Sequence, residues 1–136
     1  KIINDGKAKG TIIGGNLCTF NLLQGTEYMP DIDDIILFIE DDDLSGEEFL
    51  REFDRNLQSF LHSNKNKKIN GIIVGRAQMN SKMTKEKWES IFKIKEVLKD
   101  IPILIDVDFG HTTPIFTFPI GGRVEINGDK ITLIKE

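Results

Sequence analysis

Five large apolar residues in a row, Ile35-Ile36-Leu37-Phe38-Ile39, stop abruptly at Glu40-Asp41-Asp42-Asp43. A run with no polar alternation is a strand that must be covered on both faces. Ser45 and Glu48 form an S-x-x-E capping box and predict a helix near 46–62, with Phe49, Leu50, Phe53, Leu57, Phe60 and Leu61 on one face. Gly71 marks the return into a second buried strand, 71–74, which closes at Gly75-Arg76. Thr84 reads as the N-cap of a second helix, near 84–99, whose stripe is Trp88, Ile91, Phe92, Lys95 and Leu98. Pro102 stops it, and 103–106 is a third strand. This β-α-β-α-β order dictates a parallel sheet with right-handed crossovers.

The flanks follow other rules. Upstream, Thr11 to Ile13 is a short strand running into Gly14-Gly15-Asn16-Leu17, which reads as a tight turn feeding a brief helical patch with Leu17, Phe20, Leu22 and Leu23. Free N–H groups at such a junction bind anions, so Asn16 is a candidate for holding part of a substrate. Downstream of Pro114 the pattern predicts antiparallel strands at Ile115–Phe118, Arg123–Ile126 and Lys130–Ile134. The last two are joined by a hairpin turn at Asn127-Gly128-Asp129. The fold class is therefore α/β, a parallel central sheet with antiparallel C-terminal strands.

The 136 residues suffice for one domain with a real core, and 39% hydrophobic with 29% charged residues describes an ordinary globular chain. A net charge of −4, with basic residues scattered apart from a solvated cluster at Lys65–Lys68, excludes nucleic acid as the expected partner. No apolar run approaches the roughly 20 residues of a membrane span, and no signal-peptide pattern is present. A single cysteine, Cys18, reads as a small packed residue and fits a reducing, cytoplasmic setting. The first residue is Lys1 and not Met, the expectation for an excised or processed piece.

Parallel strands end on one side of the sheet, where open α/β folds place their ligands. Glu40 ends the first strand of the unit, Arg76 the second, and the segment Asp106 to His111 follows the third. First and third strands lie about 10 Å apart, twice the inter-strand spacing, a gap that the loop carrying His111 can span. A carboxylate that accepts a hydrogen bond from one imidazole nitrogen fixes the tautomer and frees the other nitrogen as a base. Arg76 is open between a clamp for a substrate carboxylate and a local salt bridge. The five serines (Ser45, Ser59, Ser63, Ser81 and Ser90) lie on helices, their ends or a loop, none at a strand-to-helix elbow. The chain reads as a half-site, an acid–base pair without its nucleophile.

Six stretches carry a resemblance: Gly14-Gly15-Asn16-Leu17, Gly25-Thr26-Glu27-Tyr28, Leu37-Phe38-Ile39-Glu40-Asp41, Phe53-Asp54-Arg55, Gly110-His111-Thr112 and Phe118-Pro119-Ile120-Gly121. In this order they make the chain similar to the C-terminal domain of the serine LD-carboxypeptidase family, which includes the microcin C immunity peptidases. The resemblance implies a swivelling β/β/α domain and a Ser-Glu-His enzyme with no cofactor or metal. Its serine would sit in an N-terminal domain of the same protein that lies outside this chain. The implied substrates are peptidoglycan tetrapeptides, cut before a C-terminal D-residue, or peptidyl and aminoacyl nucleotides in the immunity branch. Glu40 would orient the imidazole and His111 would be the general base. The acidic loop from Asp41 to Glu47 is longer than the family's usual one, which leaves Asp41 as a second candidate for the Glu40 role.

Two other readings stand beside this one. A silent binding module explains the missing nucleophile. A phosphoacceptor domain would hold Mg²⁺ at Glu40 to Asp43 and phosphorylate Asp106, but Pro114, Pro119 and a hairpin follow where that fold needs more helical units. The Asp108-Phe109-Gly110 triplet reads as coincidence, because no Gly-rich loop accompanies it. The half-site reading further predicts an inert chain with a bare docking surface, able to favour a homodimer.

Overall fold

The computed structural model describes residues 1–134 as one seven-stranded mixed sheet with two principal helices. In chain order the elements are β1 (Ile2–Asn4), β2 (Lys7–Asn16), α1 (Leu17–Phe20), β3 (Ile35–Glu40), α2 (Gly46–Ser63), β4 (Ile69–Gly75), α3 (Lys85–Phe92), β5 (Ile103–Val107), β6 (Arg123–Asn127) and β7 (Lys130–Ile134). Spatial order is β1-β5-β4-β3-β2-β6-β7. Strands β2, β3, β4 and β5 run parallel, while β1, β6 and β7 are antiparallel additions at the two edges.

The path β3-α2-β4-α3-β5 steps one strand at a time in one direction, so right-handed crossovers put both helices on the same face. On that face Ile35, Leu37 and Ile39 of β3 meet Phe49, Phe53, Leu57 and Phe60 of α2 and Trp88 and Phe92 of α3. Ile36 and Phe38 point the other way, into a smaller cluster with Ile73, Leu104, Phe109, Val124 and Ile126. Strand β3 is thus buried on both faces, as its unbroken apolar run requires.

Several expectations are corrected. Gly14, Gly15 and Asn16 continue β2 and do not form a tight turn. At Gly14 (φ +131°) a Cβ would stand 2.0 Å from the carbonyl oxygen of Phe38, so the glycine is what lets β2 and β3 approach in register. Residues 115–118 form no strand: β6 already occupies the free edge of β2, and the segment between Pro114 and Pro119 leaves Ile115 and Phe116 exposed. The second helix stops at Phe92 and resumes as a 3₁₀ turn at Glu96–Leu98. The break lets Lys95 bury its stem, with Nζ donating to Asp54 and, at 2.9 Å, to the Ile91 carbonyl. Ser45 is the N-cap of α2 by position, yet its side chain makes no capping bond, whereas Thr84 accepts from the Lys87 N–H at 3.3 Å. Cys18 is exposed, not packed. No helix among the described residues is long and apolar enough to cross a membrane.

Candidate active site

The carboxyl ends of the parallel strands bring the predicted residues to one edge. Asn16 pairs in register with Glu40, and Gly75, just before Arg76, pairs with Val107. Beyond Val107 the chain turns back at once, with the Phe109 N–H donating to the Val107 carbonyl at 2.8 Å. Phe109, 3% exposed, stacks on Phe38 with ring centroids 3.5 Å apart. Two residues further along each segment, His111 meets Glu40. Within β3 the side-chain period of two puts Phe38 and Glu40 on one face, and the loop after β5 is seated there by the Phe109 stack, with Gly110 (φ +103°) turning His111 onto Glu40.

Nδ1 of His111 lies 2.5 Å from Oε2 of Glu40. Glu40 is 8% exposed, while the His111 side chain is 47% exposed and faces a groove of about 320 Å³ lined by Asp43, Gln78, Met79, Asn80 and Thr112. The hydrogen bond to Glu40 holds the His111 pKa above its ordinary 6.5. Partial burial opposes the rise, and the negative charges of Glu40, Asp42 and Asp41 add to it. Two glycines make the close approach possible. A Cβ on Gly75 would stand 2.7 Å from the Phe109 carbonyl oxygen and 2.9 Å from Cβ of Glu40, and one on Gly110 3.0 Å from Oε2 of Glu40.

The neighbouring polar groups are placed differently. Asp41 is 6% exposed, accepts from the Asp42 N–H at 2.9 Å, and keeps Oδ2 buried without a partner among the described residues. Burial raises its pKa above 3.8, the Asp42 N–H pulling the other way. It makes no bond to His111. Asn16 is committed locally, donating to Asp42 at 2.6 Å and accepting from the Thr19 N–H at 2.9 Å. Arg76 pairs with Asp108, the local salt bridge, and its Nε is buried without a partner among the described residues. Asp106 pairs with Lys1 at 2.7 Å. Cys18 follows Asn16 and Leu17, but desolvation and the charges of Asp41, Asp42 and Glu52 push its thiol up, away from thiolate. His62 bonds Gln58 at 2.7 Å, outside the groups that meet at His111.

The sequence reading overlooked Asp108 as the partner of Arg76, and Phe38 and Phe109 as the clamp under the pair. The signal was present in the spacing, since a phenylalanine precedes both Glu40 and His111 by two positions.

The chain is thus a mixed α/β domain with a carboxylate-paired imidazole at the carboxyl edge of its parallel strands. Residues 9–126 match the LD-carboxypeptidase C-terminal domain family, and the chain belongs to that family. It is 46% identical over 125 residues to the putative carboxypeptidase YocD of Bacillus subtilis (strain 168), covering 92% of this chain and 38% of that protein. It is 37% identical over 128 residues to the microcin C7 self-immunity protein MccF of Escherichia coli, covering 91% and 36%. The crystal structure of an MccF-like protein from Bacillus anthracis str. Ames superposes with a TM-score of 0.92 at 46% identity, covering 99% of this chain and 42% of that one. The chain thus spans well under half the length of these relatives, and carboxypeptidase is the activity that the family's name and YocD's share.

Proposed function

We propose that this domain supplies the orienting carboxylate, Glu40, and the general base, His111, of a Ser-Glu-His peptidase. The serine belongs to a nucleophile domain of the same protein outside residues 1–136. The observation that carries the reading is the 2.5 Å contact between His111 Nδ1 and Glu40 Oε2. With Nδ1–H donating to the carboxylate, Nε2 is left to take the serine proton as the oxygen attacks the scissile carbonyl. The imidazolium that forms is what Glu40 stabilises, in keeping with the raised pKa of His111. Nε2 then returns the proton to the leaving amine, and a water repeats the sequence on the acyl-serine.

The relatives support two substrate classes. The family's description points to a peptide ending in a D-residue, cut at the L,D bond, and peptidoglycan tetrapeptides supply that chemistry. MccF, by contrast, has been solved with aspartyl sulfamoyl adenosine, so an aminoacyl or peptidyl nucleotide is the second substrate class. In both, Asn16 and Arg76 are the side chains we place against the substrate's polar ends. Both are held by carboxylates, Asp42 and Asp108, and so are pre-positioned.

The test uses the whole protein. Glu40→Gln lowers turnover of an L,D-tetrapeptide by up to ~10⁴-fold, the scale of the comparable carboxylate-to-amide change in a Ser-His-Asp protease. His111→Ala is at least as damaging. A fluorophosphonate labels a serine outside residues 1–136 and leaves residues 1–136, expressed alone, unlabelled and inert. Loss of turnover in Asp41→Asn with Glu40→Gln spared, or labelling of Ser81 in the isolated chain, overturns the assignment.

A further inference from the structure

The loop from Arg76 to Met83 separates two grooves at the site's edge, with Gln78 and Met79 forming the wall common to both. One is the groove at His111. The other, about 470 Å³, is lined beyond that wall by the polar residues Lys1, Arg76, Ser81, Lys82 and Asp106. Its charges do not cancel. Asp106 is paired with Lys1 and Arg76 with Asp108, while Lys82 makes no ion pair among the described residues. The Lys82 side chain is therefore a cation with no carboxylate partner among the described residues, and the partly exposed guanidinium of Arg76 belongs to the same lining.

The backbone holds this arrangement at a cost. Lys82 sits at φ +50°, ψ +35°, the left-handed region that a lysine seldom adopts. Its N–H donates to the Met79 carbonyl at 3.1 Å, and the buried Ser81 hydroxyl pins the same turn by donating to the Gln78 carbonyl at 2.6 Å. Asp106, on another wall of the groove, has φ +56°. Two of the three non-glycine residues with positive φ among those described, the third being Asp34, therefore line this one groove. Such conformations persist where the surrounding structure over-determines them, and they cluster at ligand clamps.

We propose that this groove is a second subsite of the Glu40–His111 centre. Lys82, backed by Arg76, holds an anionic group, a carboxylate or a phosphate oxygen, of a substrate that lies across the Gln78–Met79 wall. The inference rests on the reading that substrate reacts at His111, and it adds that the substrate carries an anion on the far side of that wall. A peptide carboxylate and a nucleotide phosphate both supply one.

The experiment titrates the ¹⁵N-labelled chain with inorganic phosphate and, separately, acetate at constant ionic strength, following the amides of residues 76–83. Saturable shifts centred on Ser81, Lys82 and Met83 are expected. Lys82→Asn keeps a residue that tolerates the left-handed conformation and removes the charge, weakening the bound anion about tenfold or more. Lys82→Arg retains binding, and Lys65→Asn, on a different surface, leaves it unchanged. Tighter phosphate than acetate assigns the subsite to a phosphate-bearing substrate, and the reverse to a peptide carboxylate. Non-saturable shifts spread over the exposed lysines, or equal affinity in Lys82→Asn, overturn the proposal. Glu40→Gln separates the two readings, because it alters the titration of His111 and leaves the anion titration in place.

Discussion

Gly75→Ala tests how the acid–base pair is held together. Gly75 ends β4 directly beneath the site, and the added methyl would stand 2.7 Å from the Phe109 carbonyl oxygen, 2.9 Å from Glu40 Cβ and 3.0 Å from Phe109 Cε2. Carbon contacts settle at about 3.5–4.0 Å, so β3 and the 107–111 loop must part by roughly 0.5–1 Å. Neither of the two nearer obstacles is the loose end of a flexible side chain. One is a backbone carbonyl, the other the root of a buried glutamate whose strand is fixed on both sides. Overpacking of this kind costs ~1–3 kcal/mol. With a urea dependence of ~1–3 kcal/mol/M, the unfolding midpoint falls by about 1 M. The same displacement opens the 2.5 Å Glu40–His111 contact, so the pKa of His111 falls towards 6.5 in an NMR titration of its ring protons. Gly15→Ala is the control. Gly15 has φ +145° and no atom within 4 Å of a built Cβ, so alanine there strains the backbone and leaves the His111 titration alone. A Gly75→Ala protein with unchanged midpoint and unchanged His111 titration would refute the view that packing under the loop sets the pair.

Three further outcomes follow from the same geometry. Glu40→Gln lowers the pKa of His111, because the negative charge is lost and the charge-assisted hydrogen bond becomes at best a neutral one, and Asp41→Asn lowers it less; the reverse order in an NMR titration assigns the orienting role to Asp41. Thr84→Ala destabilises the fold by ~1 kcal/mol and Ser45→Ala by less than ~0.5 kcal/mol, since only the threonine caps its helix, and urea midpoints compare the two directly. Burial raises the pKa of Asp41 in the folded state, so this carboxyl adds stability below its unfolded value near 3.8 and withdraws it as pH rises through the folded value. Asp41→Asn accordingly gains on the parent as pH rises from about 4 towards neutrality, and a denaturation series in which it loses ground over that range contradicts the sign.

Local rules in the sequence determined the strand–helix–strand core. An unbroken apolar run can only be a covered strand, the period of α2 fixes its buried face, and right-handed crossovers leave one arrangement for three parallel strands. Glu40, Arg76 and His111 were therefore legible as neighbours on one edge from the order of residues alone. Tertiary structure decided the rest, because each remaining feature depends on a contact between distant segments. The run at Ile115–Phe118 has strand composition but finds the edge of β2 taken by β6. Lys95 lies on an apolar stripe, and the charge partner that makes its burial tolerable, Asp54, comes from another helix. The identity of the residue that meets His111 turned on whether Glu40 or Asp41 points to the face opposite α2 and α3. The stacking of Phe109 on Phe38, 71 positions apart in the chain, answers it: it seats the 108–111 loop on the face of β3 that carries Phe38 and, two residues on, Glu40, so that His111 reaches Glu40 and not Asp41.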